Sequence, residues 1–298
     1  MENILVIKLS ALGDFVQALG PMKAIRNHHK NAKITLLTTK PFVGFAEGSG
    51  YFDEVIIDQR PRFFEFAKWV LLRNQLQETK YSHIYDLQNN GRVRKYYKPL
   101  FKQGFTWHSI QNKAEKEIHA SIRHKEILRR AGIKSVALDK LDWAKGDIAV
   151  LNLPKKYILL IPGCDPSRPE KRWPAENYAA IAQHFAAKRT TPIILGTKDE
   201  QKEADIILRN CPETLSLIGK TSLFDIPAIA RSAVGAIGND TGPMHMIGPT
   251  GCKSLVLFSY ASDPEKHAPI GRYVKTLREP VLKDLPVDDV LKVVKVWK

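Results

Sequence analysis

The sequence predicts an α/β protein of two domains, each a parallel sheet covered by helices on both faces. Three observations predict it. Short apolar runs alternate with helix-periodic stretches over residues 4–87, and the same rhythm restarts over residues 157–258. Between the two sets, at residues 147–156, the chain turns polar and holds Pro154. At 298 residues it is also longer than a typical single domain. The expected domains are therefore 1–153 and 154–285, with 286–298 forming a helix that packs back on the first domain.

In the first set, residues 4–8 read as a strand and Ser10-Ala11-Leu12-Gly13-Asp14 as a turn. A helix follows to about residue 28, its apolar stripe carried by Phe15, Leu19, Met22 and Ile25. Residues 34–38 and 55–57 are the next strands, with a helix at 42–47 between them. An amphipathic helix at 63–77 leads to a fourth strand at 84–87. From residue 89 to 130 the pattern loosens and turns basic. Arg92, Arg94, Lys95, Lys98 and Lys102 interleave with Tyr96, Tyr97, Phe101, Phe105 and Trp107, and Arg123, His124, Lys125, Arg129 and Arg130 follow on a helix. Cations among rings suit single-stranded nucleic acid, phosphorylated or carboxylated sugars, or a solvated helix face. In the second set, strands at 157–161, 192–195, 233–237 and 255–258 alternate with helices at 175–188, 200–210 and 224–231.

Composition narrows the class. The chain is 44% hydrophobic with 18 Gly and 18 Pro, ordinary for a protein with a sizeable core. No apolar run approaches the roughly 20 residues that span a bilayer. Residues 1–8 enter a strand at once, so no leader peptide is expected. Cys164, Cys211 and Cys252 are scattered without metal-type spacing, which suggests buried thiols in a reducing cytoplasm. The formal charge of +15 favours an anionic partner, whether nucleic acid, an acidic membrane surface or an acidic glycan.

Ligands of parallel sheets sit beyond the carboxyl ends of the strands, so the strand-to-helix turns carry the candidate chemistry. After the first strand, Asp14 can act as a general base or simply cap its helix. After the strand at 157–161, residues 162–174 put Arg168, Lys171 and Arg172 beside Gly163 and Ser167, a set that fits a diphosphate. After the strand at 192–195, Glu200 falls in the first turn of a helix, where it also meets the helix dipole favourably. The most informative turn is Gly238-Asn239-Asp240-Thr241-Gly242-Pro243-Met244-His245. There Asp240 or Thr241 can cap a helix, Pro243 suits its first position, and free amides can seat a phosphate. Gly238 and Gly242 would let that anion approach the backbone, and His245 faces the same way.

These four stretches together resemble the bacterial heptosyltransferases, inverting glycosyltransferases of the GT-B fold. Gly238 to His245 is similar to their Asp-Thr-Gly-x-x-His signature, and Ser10 to Asp14 to their Ser-x-x-Gly-Asp turn. Lys171-Arg172-Trp173-Pro174 is similar to their Lys-x-Trp-Pro, and Glu200 to a nucleotide-sugar-contacting Glu. The likeness runs over nearly the whole chain, is strongest from Tyr157 to Pro269 and weakest over residues 59–146.

The resemblance implies a GT-B architecture of two Rossmann-like domains with parallel sheets facing across a cleft. It implies transfer of heptose from ADP-L-glycero-D-manno-heptose to the Kdo or heptose of the lipopolysaccharide inner core. Asp14 becomes the base. Lys171 and Ser167 hold the diphosphate, Thr241, Gly242 and nearby amides bind phosphate, Asp240 and Glu200 contact the donor, and His245 supports the site. Arg92, Arg94, Lys95 and Lys98 are the acceptor-binding candidates. No Asp-x-Asp pair stands at a suitable turn, so no metal and no cofactor beyond the donor substrate are expected. The expected protein is a cytoplasmic monomer in reversible contact with the anionic inner membrane, with no nucleic-acid partner. Two other readings fit the same residues: a GT-B enzyme with another nucleotide sugar or acceptor, and a nucleic-acid-binding protein using residues 92–107.

Overall fold

The computed structural model describes residues 1–102, 104–110 and 118–297. These residues divide into two compact units, Met1–Asp139 and Lys140–Lys298.

The first unit alternates as the apolar rhythm requires. Its elements are β1 (Asn3–Ile7), α1 (Leu12–His28), β2 (Lys33–Thr38), α2 (Val43–Ser49), β3 (Glu54–Ile57), α3 (Phe66–Gln77), β4 (His83–Asp86), β5 (Thr106–His108) and α4 (Ala120–Arg130). The strands are all parallel, in the order β3-β2-β1-β4-β5. β1 lies at the centre, buried from Ile4 to Ile7, as a near-continuous apolar run in a parallel sheet should be. One face of the sheet packs Leu5, Ile7 and Ile84 against Leu72 and Leu76 of α3 and against Val93 and Tyr97. The helix expected from residue 63 starts at Phe66, because residues 62–65 form a turn in which the Glu65 carboxylate accepts from the Arg62 N–H.

The second unit contains β6 (Tyr157–Ile161), α5 (Ala175–Ala186), β7 (Thr191–Ile194), α6 (Gln201–Asn210), β8 (Leu215–Ser216) and α7 (Asp225–Ser232). It continues with β9 (Ala236–Asn239), α8 (Gly242–Ile247), β10 (Ser254–Phe258), α9 (Pro264–His267), β11 (Val274–Arg278) and α10 (Val287–Val294). Its six parallel strands run β11-β10-β9-β6-β7-β8. In each unit the strand order reverses direction beside the first strand, between β1 and β4 in one and between β6 and β9 in the other. The carboxyl ends of those strand pairs are the crevices where such sheets bind ligands.

Two boundaries differ from expectation. The first unit ends at Asp139, not at residue 153. Residues 141–144 are tied to the second unit, since the Arg231 guanidinium donates to the carbonyls of Leu141 and of Ala144 and Trp143 meets Phe224 edge-on. The final helix, expected to pack back on the first domain, contributes to the core of the second. Val290, Val294 and Trp297 join the core that holds Ile158, Ile237 and Leu255, and the Trp297 ring lies directly on Gly235. The amphipathic stripe of α10 has its partner within its own unit.

Candidate functional site

The second unit assembles its candidate residues at the β6/β9 switch. Asn239 ends β9 and is fully buried with four hydrogen bonds. Its Nδ2 donates to the carbonyls of Pro162 (2.8 Å) and Gly163 (3.2 Å). Its Oδ1 accepts from the Trp173 N–H (3.1 Å) and the Tyr178 hydroxyl (3.0 Å). One side chain thus locks the turn after β6, the chain entering α5 and the end of β9 together. A buried amide with all its groups paired specifies geometry strongly.

On that frame Lys171 Nζ donates to Asp240 Oδ2 at 2.6 Å, with both side chains largely buried. His245 Nε2 lies 3.8 Å from Asp240 Oδ1. Burial alone would raise the Asp240 carboxyl, but the hydrogen bonds from His245 and Lys171 and the Lys171 charge outweigh it. They hold it well below the usual carboxylate range. The site therefore keeps a charged carboxylate, an ammonium and an imidazole in contact. Thr241 occupies the cap position of α8 in extended backbone, and no side chain caps the helix. Two nearby amides are already committed, Asp240 N–H to Leu257 O and Met244 N–H to Thr241 O.

Gly238 is not a point of anion approach. A Cβ there would stand 2.7 Å from Ile161 Cβ and 2.8 Å from Met244 Sδ, so its small size serves strand and helix packing. Gly163 is the glycine that matters for the site. A Cβ on it would meet Glu200 at 2.6–2.8 Å. The Glu200 carboxylate accepts from the Thr197 N–H (2.7 Å) and hydroxyl (2.8 Å) in a capping box, so it is buried and oriented rather than only a dipole partner.

The three cations of residues 168–172 part ways. Arg168 pairs with Glu170 and donates to Ala261 O, while Arg172 pairs with Glu203 at 2.5 Å. Only Lys171 turns to Asp240. Ser167 lies exposed, its N–H and hydroxyl donating to Asp165 Oδ1.

In the first unit the turn after β1 is held from the segment just past β4. Gln88 Oε1 accepts from Leu9 N–H (2.9 Å) and Ser10 N–H (3.1 Å), and Arg60 donates to the Ser10 hydroxyl. Asp14 is the third residue of α1, where Ala11 holds the cap position and no side chain caps the helix. It is not the cap that its position in the turn suggested. Lys8, absent from the sequence-level candidates, is buried beneath this turn and donates to Leu87 O (3.2 Å). Burial pulls its ammonium down to about 8, with the Asp14 charge opposing that fall. His124 also donates to Leu87 O (3.0 Å), and burial depresses it to about 3, so it is a neutral structural histidine. The signal for Lys8 was a lone lysine ending a strand of buried apolar residues.

The acceptor candidates do not act as one cluster. Arg92 is a buttress: it donates to Pro61 O (2.6 Å) and lies over the Trp69 and Tyr97 rings. Lys95 lies over Tyr96 and Lys98 over Trp107, and Arg94 is exposed. On α4, Glu126 takes both Arg129 and Arg130. Among the described residues no group of three or more His, Cys, Asp or Glu is arranged to hold a metal ion, and no helix is long and apolar enough to cross a membrane.

The chain is similar to known proteins over most of its length. The lipopolysaccharide core heptosyltransferase OpsX of Haemophilus influenzae is 22% identical over 292 residues, which covers 90% of this chain and 82% of that protein. The solved family 9 glycosyl transferase of Veillonella parvula superposes with a TM-score of 0.82 at 19% identity, covering 99% of this chain and 97% of that one. The E. coli heptosyltransferase WaaC, solved with ADP, superposes with a TM-score of 0.76 at 17% identity, covering 98% and 99%. The two parallel-sheet domains are those of the GT-B heptosyltransferase structures. The model of glycosyltransferase family 9 (heptosyltransferase) matches residues 69–292, and the chain belongs to that family.

Proposed function

We propose that this chain transfers heptose, with inversion, from ADP-L-glycero-D-manno-heptose to the Kdo or heptose of the lipopolysaccharide inner core. The observation that carries this reading is the Lys171–Asp240–His245 cluster at the β6/β9 switch, in a chain of the heptosyltransferase family. A relative named for the lipopolysaccharide core and a structural neighbour holding ADP support the choice of acceptor and donor.

In this reading the donor sits on the second domain and the acceptor on the first. Asp14 takes the proton of the acceptor hydroxyl, and that oxygen attacks the anomeric carbon. The bond from the anomeric carbon to the diphosphate oxygen breaks with its electron pair, and ADP leaves. The charge that develops on the diphosphate meets the Lys171 ammonium and the amides at Thr241 and Gly242, so a fixed positive potential replaces a metal ion. Asp240 aims Lys171, His245 supports Asp240, and Glu200 contacts the nucleotide ribose. Ser167 closes over the diphosphate after giving up Asp165. Arg94, Lys95 and Lys98 meet the anionic acceptor, while Arg92 holds the loop beside them. The net charge of +15 supports reversible contact of a cytoplasmic monomer with an anionic membrane surface, worth on the order of 1 kcal/mol per Lys or Arg.

Incubation with ADP-heptose and defined core acceptors, read by mass spectrometry, tests the reaction. The expected product carries one added heptose. A thermal-shift panel of ADP-sugars, UDP-sugars and single-stranded RNA tests the ligand class, and stabilisation by RNA alone would overturn the proposal.

A further inference from the structure

Helix α3 is apolar on two faces, and only one of them is covered. Trp69, Leu72 and Leu76 turn inward onto the core of the first unit. On the other side Phe66 is 74% exposed, Val70 55% and Leu71 50%, and just before the helix Phe63 is 73% and Phe64 54% exposed. Isolated exposed apolar residues need no explanation, but five within nine positions form a patch of the kind that marks an interaction surface.

The patch is held out, not loosely draped. Arg92 donates to Pro61 O and Trp69 Nε1 donates to Arg62 O (2.9 Å), while the Glu65 carboxylate accepts from Arg62 N–H. Phe63 and Phe64 meet edge to face at 5.3 Å. Three side chains therefore fix the backbone that presents two rings to solvent. The flanks are cationic. Between residues 59 and 77 the sequence has Arg60, Arg62, Lys68 and Arg73 against a single carboxylate, Glu65, which pairs with Lys68.

We propose that this face, Phe63 to Leu71, is the element that enters an anionic lipid bilayer, its rings at the headgroup–acyl boundary and Arg62 and Arg73 against lipid phosphates. The inference deepens the membrane contact proposed above and rests on it. Apolar side chains flanked in sequence by cations match the two layers of such an interface, apolar depth below and negative charge at its surface. A second copy of this chain matches less well. Two-fold pairing sets identical patches against each other, and with them Arg62 and Arg73 of both copies.

Co-sedimentation with vesicles of phosphatidylethanolamine and phosphatidylglycerol tests it. Replacing Phe63→Ser, Phe64→Ser and Phe66→Ser together should lower partitioning by at least about tenfold, the weight of even one buried ring. ADP binding should be unchanged, because these residues belong to the other domain. An environment-sensitive dye on Phe64→Cys should shift to the blue on vesicles, as insertion requires. Binding that survives the triple change, or a dye that stays in water, would overturn this inference and leave the membrane reading intact. No binding to anionic vesicles at all would overturn both. Sedimentation that shows a dimer in the parent chain and a monomer in the triple variant would assign the face to a second copy instead.

Discussion

Lys171 Nζ and Asp240 Oδ2 stand 2.6 Å apart, joining the segment after β6 to the end of β9 across the switch point of the second sheet. Removing one partner of a buried pair strands the other charge. Asp240→Asn should therefore destabilise the protein by about 3 kcal/mol, most of it the cost of an unpaired Lys171. The double change Lys171→Met with Asp240→Asn should recover part of that loss. Urea midpoints of the three proteins check this, and a double variant no more stable than Asp240→Asn would mean the pair is not coupled.

The same pair sets an acid limit. Asp240 is held below the usual carboxylate range in the folded protein, so the folded state binds its proton less well than the unfolded one. Its contribution is complete above the unfolded value, about pH 4, and is lost as pH falls below that toward the folded value. Stability should fall more steeply between about pH 4 and pH 2 in the parent than in Asp240→Asn. Parallel curves would show that other carboxylates dominate acid unfolding.

Asp14 lies in the first turn of α1 without capping it. Asp14→Asn should leave the melting temperature and ADP binding near those of the parent and lower transfer by about two to four decades, the range of general acid–base catalysis. Near-normal turnover would remove Asp14 from the reaction.

Gly163 has no room for a side chain, because the oriented Glu200 carboxylate fills it. Gly163→Ala should push Glu200 away from Thr197 and weaken ADP-sugar binding by about tenfold or more, while transfer at saturating donor falls less. Titration calorimetry with the donor decides it. Unchanged affinity would separate Glu200 from the nucleotide.

If Lys171 and the amides at Thr241 and Gly242 neutralise the leaving diphosphate, turnover should survive EDTA. A strict requirement for added magnesium or manganese would mean that other ligands handle that charge.

Much of this was legible in the chain itself. Each sheet follows from the alternation of apolar runs with 3.6-period helices, because a segment's own pattern decides which face it must bury. The segments that carry Asp14, Lys171, Glu200 and Asp240 were visible for the same reason: each begins where a strand ends. What lacked a local signature was missed. β5 and β11 are edge strands with exposed polar residues, so no apolar run marks them. The end of the first domain and the seat of α10 depend on which distant surface is free to cover an apolar stripe, and Arg231 and Gly235 settle that from far along the chain.

The roles of charged side chains were the least legible. Among neighbouring cations in sequence, Lys171 reaches Asp240, 69 residues away, while Arg168, Arg172 and Arg92 go to structural partners. Asn239 read as one residue of a turn, yet it pins three segments. The sequence by itself determined the elements and the turns where chemistry sits, because those depend on neighbours within a few residues. Only the tertiary structure decided which charged side chain meets which partner. Pairing acts over a few ångströms in space, and the chain brings those partners together from dozens of residues apart.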